Sequence, residues 1–173
     1  VHAYGGIVDR TMGDELLCFF GYGYGGELPT ANHADQALGC AMKIQRDAVR
    51  RTLDATKTGE PIYPLRVGIN TAAEYVADVG SSRKIDVTLI GHGVNHAKRL
   101  EAAADSFCIM LGATTRDMLT NVEGLGVELK KRLIQVKQYS DLLEAYECDP
   151  FEKEPDIRRE AVDLHRSFTR LDR

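Results

Sequence analysis

Residues 85 to 99 read Ile-Asp-Val-Thr-Leu-Ile-Gly-His-Gly-Val-Asn-His-Ala-Lys-Arg. A β-prone run, Val87 to Ile90, breaks at Gly91-His92-Gly93, and a helical pattern follows. That helix sets Asn95 and Arg99 on one face, because residues four apart are neighbours there. An amide and a guanidinium projecting together from the first turns of a helix suit a polyphosphate or sugar ligand. The guanidinium forks onto phosphoryl oxygens, and the amide holds a hydroxyl or ring oxygen. Asn-x-x-x-Arg also occurs on ordinary solvated helix faces, so the meaning of the pair depends on the rest of the chain.

A second informative stretch is Gly5-Gly6-Ile7-Val8-Asp9-Arg10-Thr11-Met12-Gly13-Asp14-Glu15-Leu16-Leu17-Cys18-Phe19-Phe20-Gly21. Two apolar, β-prone runs flank Gly13-Asp14, a dipeptide with strong turn chemistry. The pattern predicts a hairpin with an acidic tip. With both stretches in view, the chain resembles the catalytic domain of the class III nucleotide cyclases, the adenylate and guanylate cyclase family. The resemblance runs from about Gly5 to Cys148 and keeps the family's order of motifs. The hairpin comes first, then Leu65-Arg66-Val67-Gly68-Ile69-Asn70-Thr71. Next comes Asp86-Val87-Thr88-Leu89-Ile90-Gly91 with Val94-Asn95 and Arg99-Leu100-Glu101, and last Val136-Lys137-Gln138-Tyr139-Ser140 running into Leu143-Glu144-Ala145-Tyr146-Glu147.

The resemblance implies a specific reaction. The ribose 3′-hydroxyl of a nucleoside triphosphate attacks the α-phosphorus, and pyrophosphate leaves. Two divalent ions, Mg2+ or Mn2+, activate the hydroxyl and hold the phosphates, and fixed positive charge meets the negative charge gathering on phosphorus. Carried over by position, Asp14 is a metal ligand, Asn95 orients the ribose and Arg99 stabilises the transition state. Lys137 clamps the β- and γ-phosphates. Arg10 and Thr88 fall at the two base-selecting positions, and their donors and acceptors favour adenine, hence ATP. The family also implies a homodimer with sites at the interface between two subunits, and an upstream or downstream regulatory domain. A catalytically degenerate domain that binds nucleotide or dimerises to regulate an attached module is the alternative.

Three departures from the family pattern stand out. Its other metal-binding Asp lies on a first strand well before the hairpin, whereas 13 residues precede Asp14 here. The resemblance therefore implies a domain lacking its first strand and helix, and inactive by itself. Ala72 and Ala77 replace usual glycines, which can crowd the nucleotide or the subunit contact where backbones must approach closely. His92 stands where Asp is common.

The elements that must position these residues can be read along the chain. A helix is expected from Asn32 to about Leu53, and a polar, turn-rich loop from Asp54 to Pro64. Strands are expected at Leu65–Thr71, Tyr75–Val79 and Val87–Ile90. A helix follows over 92–104, then a strand at Phe107–Leu111 and a short helix opening at Ala113. Two closing strands, about Leu129–Lys137 and Leu142–Cys148, are expected to pair. Strands and helices alternating in this way indicate an α/β domain, which by the resemblance is a ferredoxin-like α/β sandwich over residues 1–148. Residues 149–173 read as an amphipathic helical extension after Pro155. Gly21-Tyr22-Gly23-Tyr24-Gly25-Gly26 matches a dinucleotide fingerprint, but Pro29 and a late helix start argue for a loop. Gly25-Gly26-Glu27-Leu28 mimics a diguanylate cyclase signature but does not sit at a hairpin tip.

Composition bounds the rest. With 173 residues, 43% of them hydrophobic, the chain is sized for one domain with a real core. A net charge of −4 and no basic stripe argue against a nucleic-acid partner. Arg50-Arg51 and Lys130-Lys131-Arg132 read as solvated faces. No run is long and apolar enough for a membrane segment, and the N-terminus is no signal peptide. Cys18, Cys40, Cys108 and Cys148 lack metal-ligand spacing and read as free thiols of a cytoplasmic protein.

Overall fold

Ile109-Met110-Leu111-Gly112 is an unbroken apolar run, and all four residues are buried, as expected for a strand covered on both faces. The sheet is organised around it. The computed structural model describes residues 1–22, 31–59, 63–78, 87–135 and 142–171. After a 3-10 turn at His2–Tyr4 come β1 (Ile7–Met12), β2 (Glu15–Phe19), α1 (His33–Thr58), β3 (Val67–Ile69), β4 (Tyr75–Asp78) and β5 (Val87–Ile90). Then follow α2 (His92–Ala103), β6 (Ile109–Gly112), α3 (Ala113–Met118), α4 (Val122–Leu125), β7 (Leu129–Gln135), β8 (Leu142–Cys148) and α5 (Pro155–Leu171).

The main sheet has the order β3-β6-β8-β7, with β3 and β6 parallel and the other pairs antiparallel. Two antiparallel ribbons, β1-β2 and β4-β5, accompany it. Alternation along β6 splits the core between two helices. Ile109 and Leu111 pack with Leu38, Ala41 and Met42 of α1. Met110 points the other way and packs with Leu100 and Ala104 at α2. Helices and a mixed sheet alternate along the chain, the α/β class that the sequence predicts.

The expected loop from Asp54 is instead the last turn of α1. Ala55 is buried, Lys57 pairs with Asp54 at 3.3 Å, and the helix ends only at Gly59, whose backbone is left-handed (φ 71°). A helix followed by glycine in this state is a common stop. Gln45, wholly buried on α1, donates to the carbonyls of Cys108 (2.9 Å) and Leu65 (3.3 Å), tying α1 to the β3 and β6 entries. α5 lies where the amphipathic pattern predicts and packs on the domain. Its Ala161 shares a cluster with Val49, Phe107 and Phe151, and Arg158 pairs with Asp149 at 2.9 Å.

α2 sits on β3 with almost nothing between them. A Cβ at Gly68 would lie 2.1 Å from the Ala97 carbonyl oxygen and 2.3 Å from the Glu101 amide nitrogen. Both neighbours are backbone, so neither can swing aside. Gly68→Ala should therefore push α2 off the sheet and cost about 1–3 kcal/mol or more. Chemical denaturation of the variant checks this, and unchanged stability would mean that the contact is looser than described.

Candidate functional site

The β1–β2 hairpin turns at Gly13-Asp14, between the register pairs Met12↔Glu15 and Thr11↔Leu16. Gly13 takes φ 66°, the positive angle that a II′ turn needs at its first central position. Asp14 is exposed at the tip. The next residue, Glu15, pairs with Lys98 of α2 at 2.9 Å, and the Glu15 carboxylate holds the Lys98 ammonium above its ordinary pKa. The acidic tip is thus leashed to the helix that carries Asn95 and Arg99.

The first turn of α2 is gripped from both sides. Gly93 N–H donates to Glu74 Oε1 at 2.5 Å, and Asn70 Nδ2 donates to the Gly93 carbonyl at 3.2 Å. The Glu74 carboxylate lies against the backbone of Gly91 and Gly93. A Cβ at Gly91 would come within 1.3 Å of Glu74 Oε2, and one at Gly93 within 2.1 Å of Oε1. Glu74 Oε2 is buried and without a hydrogen-bond partner. A carboxylate at a helix N-terminus meets unpaired amides and the positive end of the helix dipole. Sequence reading took Gly91-His92-Gly93 only as a strand break. The signal it missed is an acid 17 and 19 residues before two glycines, a relation that tertiary structure alone creates.

From this seat Asn95 projects into solvent and Arg99, one turn on, is half-buried with contacts of its own. Ala72 packs against Gly93, with its Cβ 2.9 Å from where a Gly93 Cβ would stand. Ala77 pairs in register with Thr88, and His92 is exposed at the start of α2. Arg10 and Thr88 do come together, through a residue that sequence reading passed over. Thr88 Oγ1 donates to Asp9 Oδ2 at 3.0 Å, and Arg10 Nε lies 3.7 Å from the same oxygen. Lys137 lies outside the described residues, as do the glycine-rich stretch from Gly23 onward and the Gly25-Gly26-Glu27-Leu28 run.

Among the described residues no group of three His, Cys, Asp or Glu side chains converges to hold a cation. Asp14 is a single exposed carboxylate, and an ion of the magnesium type takes one or two carboxylates together with substrate phosphates and water. Cys108 and Cys148 offer no alternative chemistry. Burial pushes the Cys108 and Cys148 thiols up to about 12, so both stay protonated and inert. The basic run on β7 is partly neutralised, because Lys130 pairs with Glu152 and Lys131 with Glu144, while Arg132 reaches Glu147 at 3.0 Å. Among the described residues no helix is long and apolar enough to cross a membrane.

Residues 8–142 match the family model described as the adenylate and guanylate cyclase catalytic domain. An adenylate cyclase of Anabaena cylindrica is 27% identical over 151 residues, which is 83% of this chain. The chain spans 28% of that protein's length. The adenylyl cyclase CyaB from P. aeruginosa superposes with a TM-score of 0.71 at 26% identity, covering 85% of this chain and 73% of CyaB's. The guanylyl cyclase Cya2 gives the same TM-score at 24% identity, with 85% and 71% covered.

The seat of α2 makes a prediction independent of activity. Gly91→Ala should destabilise the protein by about 1–3 kcal/mol, because the new methyl displaces the Glu74 carboxylate. In a Glu74→Ala background the same change should cost far less, since the atoms it meets are gone. Additive costs in a double-mutant cycle would refute this packing.

Proposed function

The chain belongs to the adenylate and guanylate cyclase catalytic domain family, and on that premise we propose that it is the catalytic unit of a nucleotide cyclase. The reaction closes a nucleoside triphosphate on itself. A bond forms between the ribose 3′-oxygen and the α-phosphorus as the bond from that phosphorus to pyrophosphate breaks. The 3′ proton is lost, and the products are a 3′,5′-cyclic nucleotide and pyrophosphate. What carries the reading is the family match across 135 residues, 8–142, together with an Asn95–Arg99 pair on a helix clamped at its first turn.

Each residue has a task that suits its chemistry. Asn95, an exposed amide with both a donor and an acceptor, orients the ribose. Arg99 neutralises charge as the pentavalent phosphorus forms, and its planar fork suits phosphoryl oxygens. Lys137 takes the β- and γ-phosphates as a mobile point charge. Asp14 is one ligand for Mg2+ or Mn2+, whose remaining shell comes from phosphate oxygens, water and other acids. When bound, such ions make the 3′-hydroxyl a better nucleophile and screen the phosphates. Arg10 and Thr88 read the base, and their pairing favours ATP.

Two copies assemble the site. Asn95 stands on an open face of the protomer, and large apolar side chains on the neighbouring ribbons are also exposed: Val8, Met12 and Leu16 on β1–β2, Tyr75 and Ile90 on β4–β5. Tyr75 is 81% exposed, a poor state for an aromatic residue unless something covers it. A second copy supplies that cover and faces Asp14 of one protomer toward Asn95, Arg99 and Lys137 of the other. Its free cysteines, most of them buried, support a cytoplasmic setting.

The test is turnover by the complete protein with ATP and Mn2+, measuring cyclic nucleotide and pyrophosphate in equal amounts. Arg99→Ala should lower kcat by ~10²-fold or more, with KM changed far less. Asp14→Ala and Arg99→Ala protomers, each strongly impaired, should regain activity on mixing, because each heterodimer keeps one whole site. Tight nucleotide binding without any product would instead support a regulatory module, and failure of exchanging subunits to rescue would sink the shared site.

A further inference from the structure

Asp9 is the one residue of β1 without an opposite number. Val8 opposes Cys18 and Arg10 opposes Leu17, so the register slips by one residue at Asp9. A bulge of this kind breaks the strict alternation of faces and re-aims a side chain, and bulges concentrate beside active sites. Here it turns the Asp9 carboxylate inward, where its side chain is 1% exposed. Its Oδ2 accepts the Thr88 hydroxyl hydrogen at 3.0 Å, across from the β1–β2 ribbon to β5. The same oxygen lies 3.7 Å from Arg10 Nε, whose side chain remains 44% exposed.

We propose that Asp9 is a positioning residue that fixes the hydrogen-bonding polarity of the base pocket. This rests on the reading of Arg10 and Thr88 as the base contacts. A hydroxyl carries one hydrogen, and Thr88 spends it on Asp9. Toward any further partner Thr88 has only lone pairs to offer. The guanidinium of Arg10 has only donors, and the Asp9 charge holds it beside that acceptor. The pocket therefore presents an acceptor next to a donor, in fixed order. A 6-aminopurine presents the complement, an amino donor next to the N1 acceptor. A 6-oxopurine in the same register sets O6 against the Thr88 oxygen and N1–H against Arg10. Both contacts are then mismatched. A Thr88 released from Asp9 would rotate and donate to O6, and the discrimination would fade.

The Asp9 side chain is 1% exposed and acts through the two groups it touches, Arg10 and Thr88, the latter itself 5% exposed. Its loss should therefore alter selectivity, whereas a mere brace between β1 and β5 would weaken all nucleotides alike. The experiment is equilibrium titration of the complete protein with ATP and with inosine triphosphate, which differs from ATP only in its 6-oxo group and N1–H. Binding is read, so turnover is not needed. The wild type should favour ATP by roughly tenfold or more. Asp9→Ala should bring the ratio near one, in part by tightening inosine triphosphate. Asp9→Asn should keep the preference with both nucleotides weaker, because the amide oxygen still accepts from Thr88 while Arg10 loses its counter-charge. Thr88→Val should shrink the preference to the share that Arg10 carries at N1, and adding Asp9→Ala should then change the ratio only through Arg10.

A wild-type ratio in Asp9→Ala, with Thr88→Val and Arg10→Ala still lowering it, would overturn the role of Asp9 alone. A ratio insensitive to all three positions, or no binding of either nucleotide, would overturn it together with the base-contact reading. Where Asp9→Ala does not fold, loss of the preference in Asp9→Asn overturns the proposal just as well.

Discussion

The contact between β3 and α2 is closer than side chains permit, and most of the candidate site depends on it. Gly68 lies directly against the backbone of Ala97 and Glu101. With no Cβ in the way, the helix settles onto the sheet by its backbone, and Leu100 reaches the Met110 side of the core. Dispersion falls off steeply with distance, so a seat this close fixes a helix better than a layer of flexible side chains would. Glu74 and Asn70 then lock the first turn through the two backbone groups of Gly93. A guanidinium placed to within fractions of an ångström is what electrostatic catalysis needs, because preorganised charge costs nothing to rearrange during reaction.

The hairpin is held to the same helix by different means. Its tip is joined to α2 by the exposed Glu15–Lys98 pair, and its stem to β5 by the part-buried Asp9–Thr88 hydrogen bond. An exposed ion pair contributes little and is screened by salt. The part-buried hydrogen bond, from a hydroxyl to a carboxylate, is the stronger tie. The ribbon is therefore held more firmly at its stem, next to Arg10, than at its tip, Asp14. This suits the role proposed for the tip, which is to meet a second protomer and a cation.

Most of the architecture was legible in the sequence because its signals are local. The apolar run of β6, the turn chemistry of Gly13-Asp14 and the four-residue spacing of Asn95 and Arg99 all act over a few residues. The end of α1 was misplaced because Asp54-Ala55-Thr56-Lys57-Thr58 is polar. Only tertiary packing of Ala55 and the stop at Gly59 reveal it as helix. Asp9 and Glu74 were illegible for a deeper reason. One acts through a bulge, whose slip in register cannot be read from one strand alone. The other acts through a helix N-terminus that lies on a separate element. The roles proposed for Asp14, Asn95, Arg99 and Lys137 rest on the order of motifs, since neither charge nor periodicity distinguishes them from surface residues.

A structure of the complete protein with Mn2+ and 3′-deoxy-ATP, which lacks the attacking hydroxyl, tests the account most directly. The account predicts two copies related by a two-fold axis. The analogue should lie between them, its phosphates near the manganese and Asp14 of one protomer, its ribose and α-phosphate against Asn95 and Arg99 of the other. The adenine should sit at Arg10 and Thr88, with the Thr88 hydroxyl still given to Asp9. An analogue bound within a single protomer, or away from α2, would contradict it.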